Sequence, residues 1–453
     1  MQARAVFPFE RAQAAVWLVL AGLAGVASGL GCSSSGGSAS VPAALSDGGG
    51  SGGKGPVDAA GSSSSGGQMP AIDAPTGEDA SDSGPSCSGD GGPGTFTCTG
   101  SLSVARDAPL SAALPDGTVL VAGGWNGATG VLTSAEIYDP VAGTFGPTGD
   151  MAGGHLWGGW GAALPALVNG KVLVAGGLDT TGAVSSAAEL YDPVARSFSN
   201  TGPMLSGAIS MSPVVLDDGS VLFIGGWTSV TPQTAAELPG WSYAGGGTAE
   251  VQRYYPALGV FRKTGSLAEA RLFGCNVRGS TGDVLAISGA QGPADVERNV
   301  EQYDVNLGLW SVVANFTGAQ FCAGGFALPN GQMLLTGPGG LTSATLPVPG
   351  VLLYNPLTNA IGPTTNALAS FSPAFVQLAN GDVLAFGGTL NGAPTATAQV
   401  YGAQTNSWRT VGSLNQPRGG AIGALLLSSG EVLVVGGADQ NGIALATAEI
   451  YHP

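Results

Sequence analysis

The chain has little charge, and less of it is positive. Asp, Glu, Lys and Arg make up 10% of its 453 residues, and 14 Lys and Arg stand against 30 Asp and Glu, for a formal net charge of −16. No basic patch exists to offset phosphate, which excludes nucleic acid as a partner. The acidic excess contains no Asp-x-Asp-x-Asp-Gly loop, so it reads as a solvated surface rather than as calcium sites. Histidine is nearly missing: His155 and His452 are the only two and lie far apart in the chain. No metal centre and no cofactor are expected. Glycine-rich runs such as Gly245-Gly-Gly247 lack the strand–turn–helix setting of a phosphate loop.

Glycine, in contrast, is abundant, at 78 residues, and its placement is periodic. The stretch Leu114-Pro-Asp-Gly-Thr-Val-Leu-Val-Ala-Gly-Gly124 opens a unit that runs through Ala135-Glu-Ile-Tyr-Asp-Pro140 to Phe145. The turn glycine recurs seven times, as Gly117, Gly170, Gly219, Gly282, Gly331, Gly381 and Gly430. A tyrosine marks every unit: Tyr138, Tyr191, Tyr254, Tyr303, Tyr354, Tyr401 and Tyr451. An apolar residue follows most of them seven places on, as in Phe145, Phe198, Phe261, Trp310, Ile361 and Trp408. A period near 50 with this strand content is the signature of a repeat architecture.

These units resemble the kelch motif as bacterial kelch proteins carry it, Asp-Gly-x-Val-Leu-Val-x-Gly-Gly followed by Ala-Glu-x-Tyr-Asp-Pro. The resemblance covers roughly 94–453 and implies an all-β fold, a seven-bladed β-propeller of four-stranded antiparallel blades. The segment Gly94-Thr-Phe-Thr-Cys98 matches the tail of a unit, and the last unit lacks a tail after Tyr451. The N-terminal strand is therefore expected to complete the last blade, with Phe96 against Tyr451, leaving no unpaired edge at the joint. Short a–b and c–d turns should lie on one face, and the b–c and d–a loops on the other.

Ahead of the repeats, residues 1–31 read as an export signal: Arg4 and Arg11 precede an uncharged run from Ala12 to Gly31. Gly29-Leu30-Gly31-Cys32 resembles the lipobox of bacterial lipoproteins, with glycine where leucine is usual, and makes Cys32 the lipidation candidate. Residues 32–93 are Gly/Ser-rich and cannot bury enough apolar surface to order themselves. They read as a disordered tether. Cysteine use suits an exported protein. Cys87 and Cys98 are placed to clip the tail to the closing strand. Cys275 and Cys322 fall at odd offsets from their turn glycines, on the same face of adjacent inner strands.

Two sets of residues are candidates for ligand binding. Trp125, Trp157, Trp160, Trp227 and Trp241, with Tyr243, fall in loops of blades 1 to 3 on the variable face, where exposed indoles would suit sugar rings or a protein hot spot. The alternative is that they pack loops onto the core. In the same region the distance from Gly-Gly to tyrosine grows from 14 residues to 28 (Gly226 to Tyr254). Arg106, His155, Arg271 and Arg418 match the basic position that opens strand a in kelch repeats, near the channel mouth. They would either hold a carboxylate or, the favoured alternative, bond loop carbonyls. Glu136, Glu189, Glu301 and Glu449 recur too regularly for a single site.

No catalytic residue stands out. Galactose oxidase shares the kelch architecture, but its copper site needs two histidines and two tyrosines converging, which His155 and His452 do not supply. The expectation is a monomeric, non-enzymatic binding module for a glycan or protein partner, tied to the membrane only through its lipid. It would sit as an outer membrane lipoprotein or at the cell surface, otherwise in the periplasm or secreted. A carbohydrate-active propeller enzyme, mutarotase- or oxidase-like, and a structural envelope component are the alternatives.

Overall fold

A computed structural model describes residues 90–157, 163–229, 247–279, 281–292, 295–296, 299–315, 324–337, 351–366 and 368–453. The export signal, the tether, Cys32 and Cys87 lie outside the described residues. So do Trp160, Trp241, Tyr243 and Cys322.

The described chain is all-β, a ring of seven antiparallel blades. Blade 1 shows the pattern from the axis outward: strand a is Leu110–Ala113, strand b Val119–Ala122, strand c Ala135–Asp139 and strand d Thr144–Pro147. Strand b is buried along its whole length, because each blade is sandwiched between two others. It therefore reads as a continuous Val-Leu-Val-Ala run rather than an alternating one. The a–b hairpin turns on Gly117, whose φ of +86° a side chain would resist. The exit of strand b is tighter still. A Cβ on Gly123 would strike the carbonyl of His155 in the next blade.

Closure is as expected. Thr95–Cys98 pairs with Ala448–His452, setting Phe96 opposite Tyr451, and the inner strand of blade 7 packs on that of blade 1. The tyrosine and its distant aromatic partner meet in blade after blade: ring centroids are 4.8 Å apart for Tyr138 and Phe145, 4.8 Å for Tyr191 and Phe198, and 4.9 Å for Phe96 and Tyr451. Blade 2 departs from four full strands. Its inner position, 163–166, joins the blade through a single bridge, Ala166 to Val172, and a bond from Leu173 N–H to the Pro165 carbonyl. Proline has no N–H to return, so the ladder stops there.

The blades are joined by a hydroxyl staple. In four joints the threonine that opens the d–a link bonds the tyrosine of the following blade: Thr99 with Tyr138 at 2.7 Å, Thr148 with Tyr191, Thr201 with Tyr254 and Thr264 with Tyr303. Blades 5 and 6 replace it internally, Tyr354 donating to Asn359 and Tyr401 to Asn406.

Candidate functional site

The inner strands enclose a central channel whose cavity measures about 370 Å³. Among the described residues that line it, none is ionisable. Its polar groups are neutral, Ser210, Ser212, Asn276, Thr336 and Gln377, set among Met211, Phe273, Phe326 and Phe375. Asn276 Oδ1 is buried without a partner. The loop-face mouth is shaped by left-handed residues where strand a begins: Ala108, Ser210, Phe273 and Ser372 all have φ near +50° (52°, 54°, 52° and 49°). The loops around it form small hairpins, such as Trp125–Asn126 with Gly130–Val131 and Thr389–Leu390 with Ala393–Pro394.

The four basic residues near this mouth are not at its surface. Arg106, His155 and Arg418 are fully buried and Arg271 is 2% exposed. Arg106 donates to the carbonyls of Gly123 and Ser134 and to Glu136 Oε1 at 3.0 Å. Arg418 repeats this with Gly436, Thr447 and Glu449, and Arg271 with Ser288, Asn299 and Glu301. His155 contacts Gly176 O at 2.7 Å and Glu189 Oε1 at 3.3 Å. Each glutamate then accepts backbone N–H groups from its own d–a link, Ser103 and Val104 for Glu136, Asn415 and Gln416 for Glu449. Burial pushes the Arg106 and Arg418 guanidiniums down, and their glutamates push back. Burial also raises Glu189, but the His155 ring and the N–H groups of Ala152 and Gly153 outweigh it and leave the carboxyl below its usual range.

The backbone of the same residue reaches the other way. The carbonyl of Arg106 accepts from Gly437 of blade 7, that of Arg271 from Gly226 of blade 3, and that of Arg418 from Gly388 of blade 6. Each basic residue thus keys its own blade to the preceding one. Both terminal nitrogens of each arginine bond inside the blade, the His155 ring contacts Gly176 O and Glu189, and all four residues are buried, so none of them reaches the mouth to meet a ligand carboxylate. The partnership with glutamate was open to sequence reasoning, since the four basic residues and the four glutamates occur in the same four units.

The tryptophans divide. Trp157 and Trp227 are each 2% exposed and belong to the packing. The Trp157 indole donates to the Ala175 carbonyl, and Trp227 packs edge-on against Phe273 at 6.0 Å. Trp157 packs against Phe223 at the border of the central cavity, and Trp227 is covered by Leu156, Leu178, Ile209 and Leu272. Trp125 stays half-buried on the loop face, its Nε1 without a partner. Cys98 and Cys275 lie in the closing strand and in the inner strand of blade 4.

The kelch motif matches residues 108–151, the first unit. No curated protein matches the chain in sequence. Among solved structures, a fungal alcohol oxidase of the AA5 family in complex with copper shares the fold. It is 16% identical at a TM-score of 0.56, over 80% of this chain and 76% of that one. The structure of YjhT matches at 14% identity and a TM-score of 0.45, over 78% of this chain and 96% of that one. The residues present do not fit a copper centre of that kind. His155 is committed to Glu189, and His452 pairs with Glu431 and Thr97 at the far side of blade 7. Among the described residues, no three His, Cys, Asp or Glu side chains gather as ligands. Since the other six units repeat the first in register, the chain is a seven-bladed β-propeller whose first unit matches the kelch motif.

Proposed function

We propose that the protein is a non-enzymatic recognition module, held at the cell envelope by a lipid on Cys32, whose loop face binds a glycan or protein partner. A neutral sugar is the ligand that the channel mouth suits best. The chemistry of the channel carries this reading: neutral amides and hydroxyls lie beside aromatic rings, with no acid–base pair among the described lining residues. Amides and hydroxyls bond sugar hydroxyls, and rings stack on their apolar faces. Proton-transfer catalysis instead needs a titratable group within reach of the reacting atom. The basic residues and glutamates that would supply one are buried and paired with each other inside their blades.

Two disulfides belong to the same proposal of an exported protein, Cys87 with Cys98 and Cys275 with Cys322. The Cys275 Sγ is buried 2.7 Å from the carbonyl oxygen of Gly324, two residues beyond Cys322 in the chain. A glycan array probed with the purified protein tests the reading. A bound neutral glycan should lose affinity tenfold or more with Asn276→Ala, with little change in melting temperature. Turnover of such a glycan, or binding indifferent to Asn276, would overturn it.

A further inference from the structure

The seven joints between blades are built from the same parts, and one of them lacks two. Three residues before the turn glycine, six units carry a buried leucine: Leu114, Leu167, Leu216, Leu328, Leu378 and Leu427. Each packs into the following blade, as Leu378 does with Val432 and Tyr451, and Leu427 with Val119 and Tyr138. In blade 4 the position is Gly279. The residue before each strand-c tyrosine faces the same joint and is apolar in five units, Ile137, Leu190, Leu353, Val400 and Ile450. In blade 3 it is Arg253, satisfied by Ser220 and Asp218. In blade 4 it is Gln302, and its amide makes no hydrogen bond among the described residues.

Both departures open on the joint between blades 4 and 5, where a cavity of about 380 Å³ lies on the turn face. Its walls are apolar at Leu285, Val313 and Met333, with Gln302 inside and the exposed Asp283 at the rim. Val313 also takes the place of the stapling threonine, and Tyr354 bonds within its own blade. A polar amide has replaced an apolar side chain at the spot where a leucine was removed. Simple decay of a repeat would leave an apolar void, which stays dry and costs stability. A half-buried amide with no protein partner among the described residues, set beside aliphatic side chains in an open cavity, is the make-up of a ligand pocket.

We propose that this joint is a second binding site, for a small aliphatic amine that carries an amide. The aliphatic body takes the volume of the missing leucine, the amide pairs with Gln302, and the ammonium faces Asp283 on a chain of net charge −16. Free leucinamide and the apolar N-terminal residue of a peptide are the two sources of that chemistry. The site is independent of the loop face and of any ligand bound there.

Titration calorimetry on the intact protein with leucinamide tests it. Saturable binding with a dissociation constant on the order of 1 mM is expected for so few atoms. Leucine, which brings a carboxylate toward Asp283, should bind at least tenfold more weakly. Leucyl-glycyl-glycinamide separates the sources: tighter binding than leucinamide assigns the site to peptide N-termini, and exclusion assigns it to a free small molecule. Gly279→Leu restores the repeat residue, and a side chain there first meets the flexible end of Met333. That variant should melt higher and bind no leucinamide. Gln302→Leu should keep the fold and weaken binding tenfold or more. No saturable binding, or binding unchanged in both variants, would show the cavity to be unfilled core.

Discussion

Blades 1 and 3 share one scaffold and treat charge in opposite ways. In blade 1, Arg106 lies buried against Glu136, and the carboxylate holds the N–H groups of Ser103 and Val104. In blade 3, Ala208 takes the arginine position and Gln252 the glutamate position. The amide oxygen still accepts from Leu205 N–H at 2.7 Å, and its nitrogen donates to the Ser206 carbonyl. Blade 6 follows blade 3, with Gln399 accepting from Ala369 N–H and no basic residue in its d–a link. What every such blade needs is an acceptor for the link. A carboxylate acceptor occurs only where a buried arginine or histidine accompanies it, because an unpaired buried carboxylate is costly.

Removing one partner is the strongest way to break this comparison. Arg418→Met leaves the Glu449 carboxylate in a site that is 2% exposed, and should cost about 3–5 kcal/mol in denaturant unfolding. Converting blade 1 into the blade 3 arrangement sharpens it. Arg106→Ala alone should cost a similar amount, whereas Arg106→Ala with Glu136→Gln should recover about 2 kcal/mol or more. A double-mutant cycle reads that difference directly. Additive losses would mean that the glutamate is held by its N–H donors alone and that the cation is incidental.

A carboxyl one residue beyond Arg106 supplies the intermediate case. Asp107 has no cation partner among the described residues. Its Oδ1 accepts from the N–H groups of Ala108 and Ala421, bridging blades 1 and 7. Burial pushes it up to about 6, against the pull of those two donors. A raised carboxyl pKa means that the folded state holds its proton where the unfolded chain has released it. Stability contributed here is therefore full below about pH 4, falls through pH 6 and stays low above. Asp107→Asn keeps the acceptor without the titration. The variant should match the parent near pH 4 and exceed it by about 1–2 kcal/mol at pH 7, less than the full shift because the side chain is only partly buried. A constant difference across that range would refute the assignment.

How much of this was legible in the sequence depends on whether a signal repeats. The ring, the closing strand with Phe96 and the pairing of each tyrosine with its distant aromatic all follow from spacing, and spacing is set by strand and turn lengths. The salt bridges were legible too, but as a coupling between two columns of the repeat rather than as a feature of either. Read singly, Arg106 and Arg418 suggested either a carboxylate site at the channel mouth or, as favoured, bonds to loop carbonyls, and the glutamates suggested scaffold. The fate of Trp157 and Trp227 was not legible. Both sit in loop sequence next to glycines, and only the side chains packed around them decide that their rings are covered. The weak inner strand of blade 2 needed Pro165 to be recognised as a missing donor within a strand. Gly279 was equally silent, because a lone glycine in a glycine-rich chain draws attention only beside six aligned leucines.

The smallest effect tests whether the hydroxyl staple is a stabilising element or an accident of composition. Tyr451 is the one repeat tyrosine whose hydroxyl is buried without a partner among the described residues. The reason lies in the preceding blade, where Val411 occupies the position of Thr99, Thr148, Thr201 and Thr264. The backbone there is otherwise the same: Gly412 N–H donates to the Gly94 carbonyl as Gly100 does to Gly143. Val411→Thr is close to isosteric, keeps a β-branched residue beside a strand, and places a hydroxyl where four other joints use one. A buried hydrogen bond contributes about 1 kcal/mol, and relieving an unsatisfied phenol adds to it. The variant should therefore unfold at higher denaturant with an unchanged m-value, and Val411→Thr combined with Tyr451→Phe should lose the gain. If the single variant is neutral or destabilising, the staple does not hold the ring, and the joints without it are no weaker than the joints that have it.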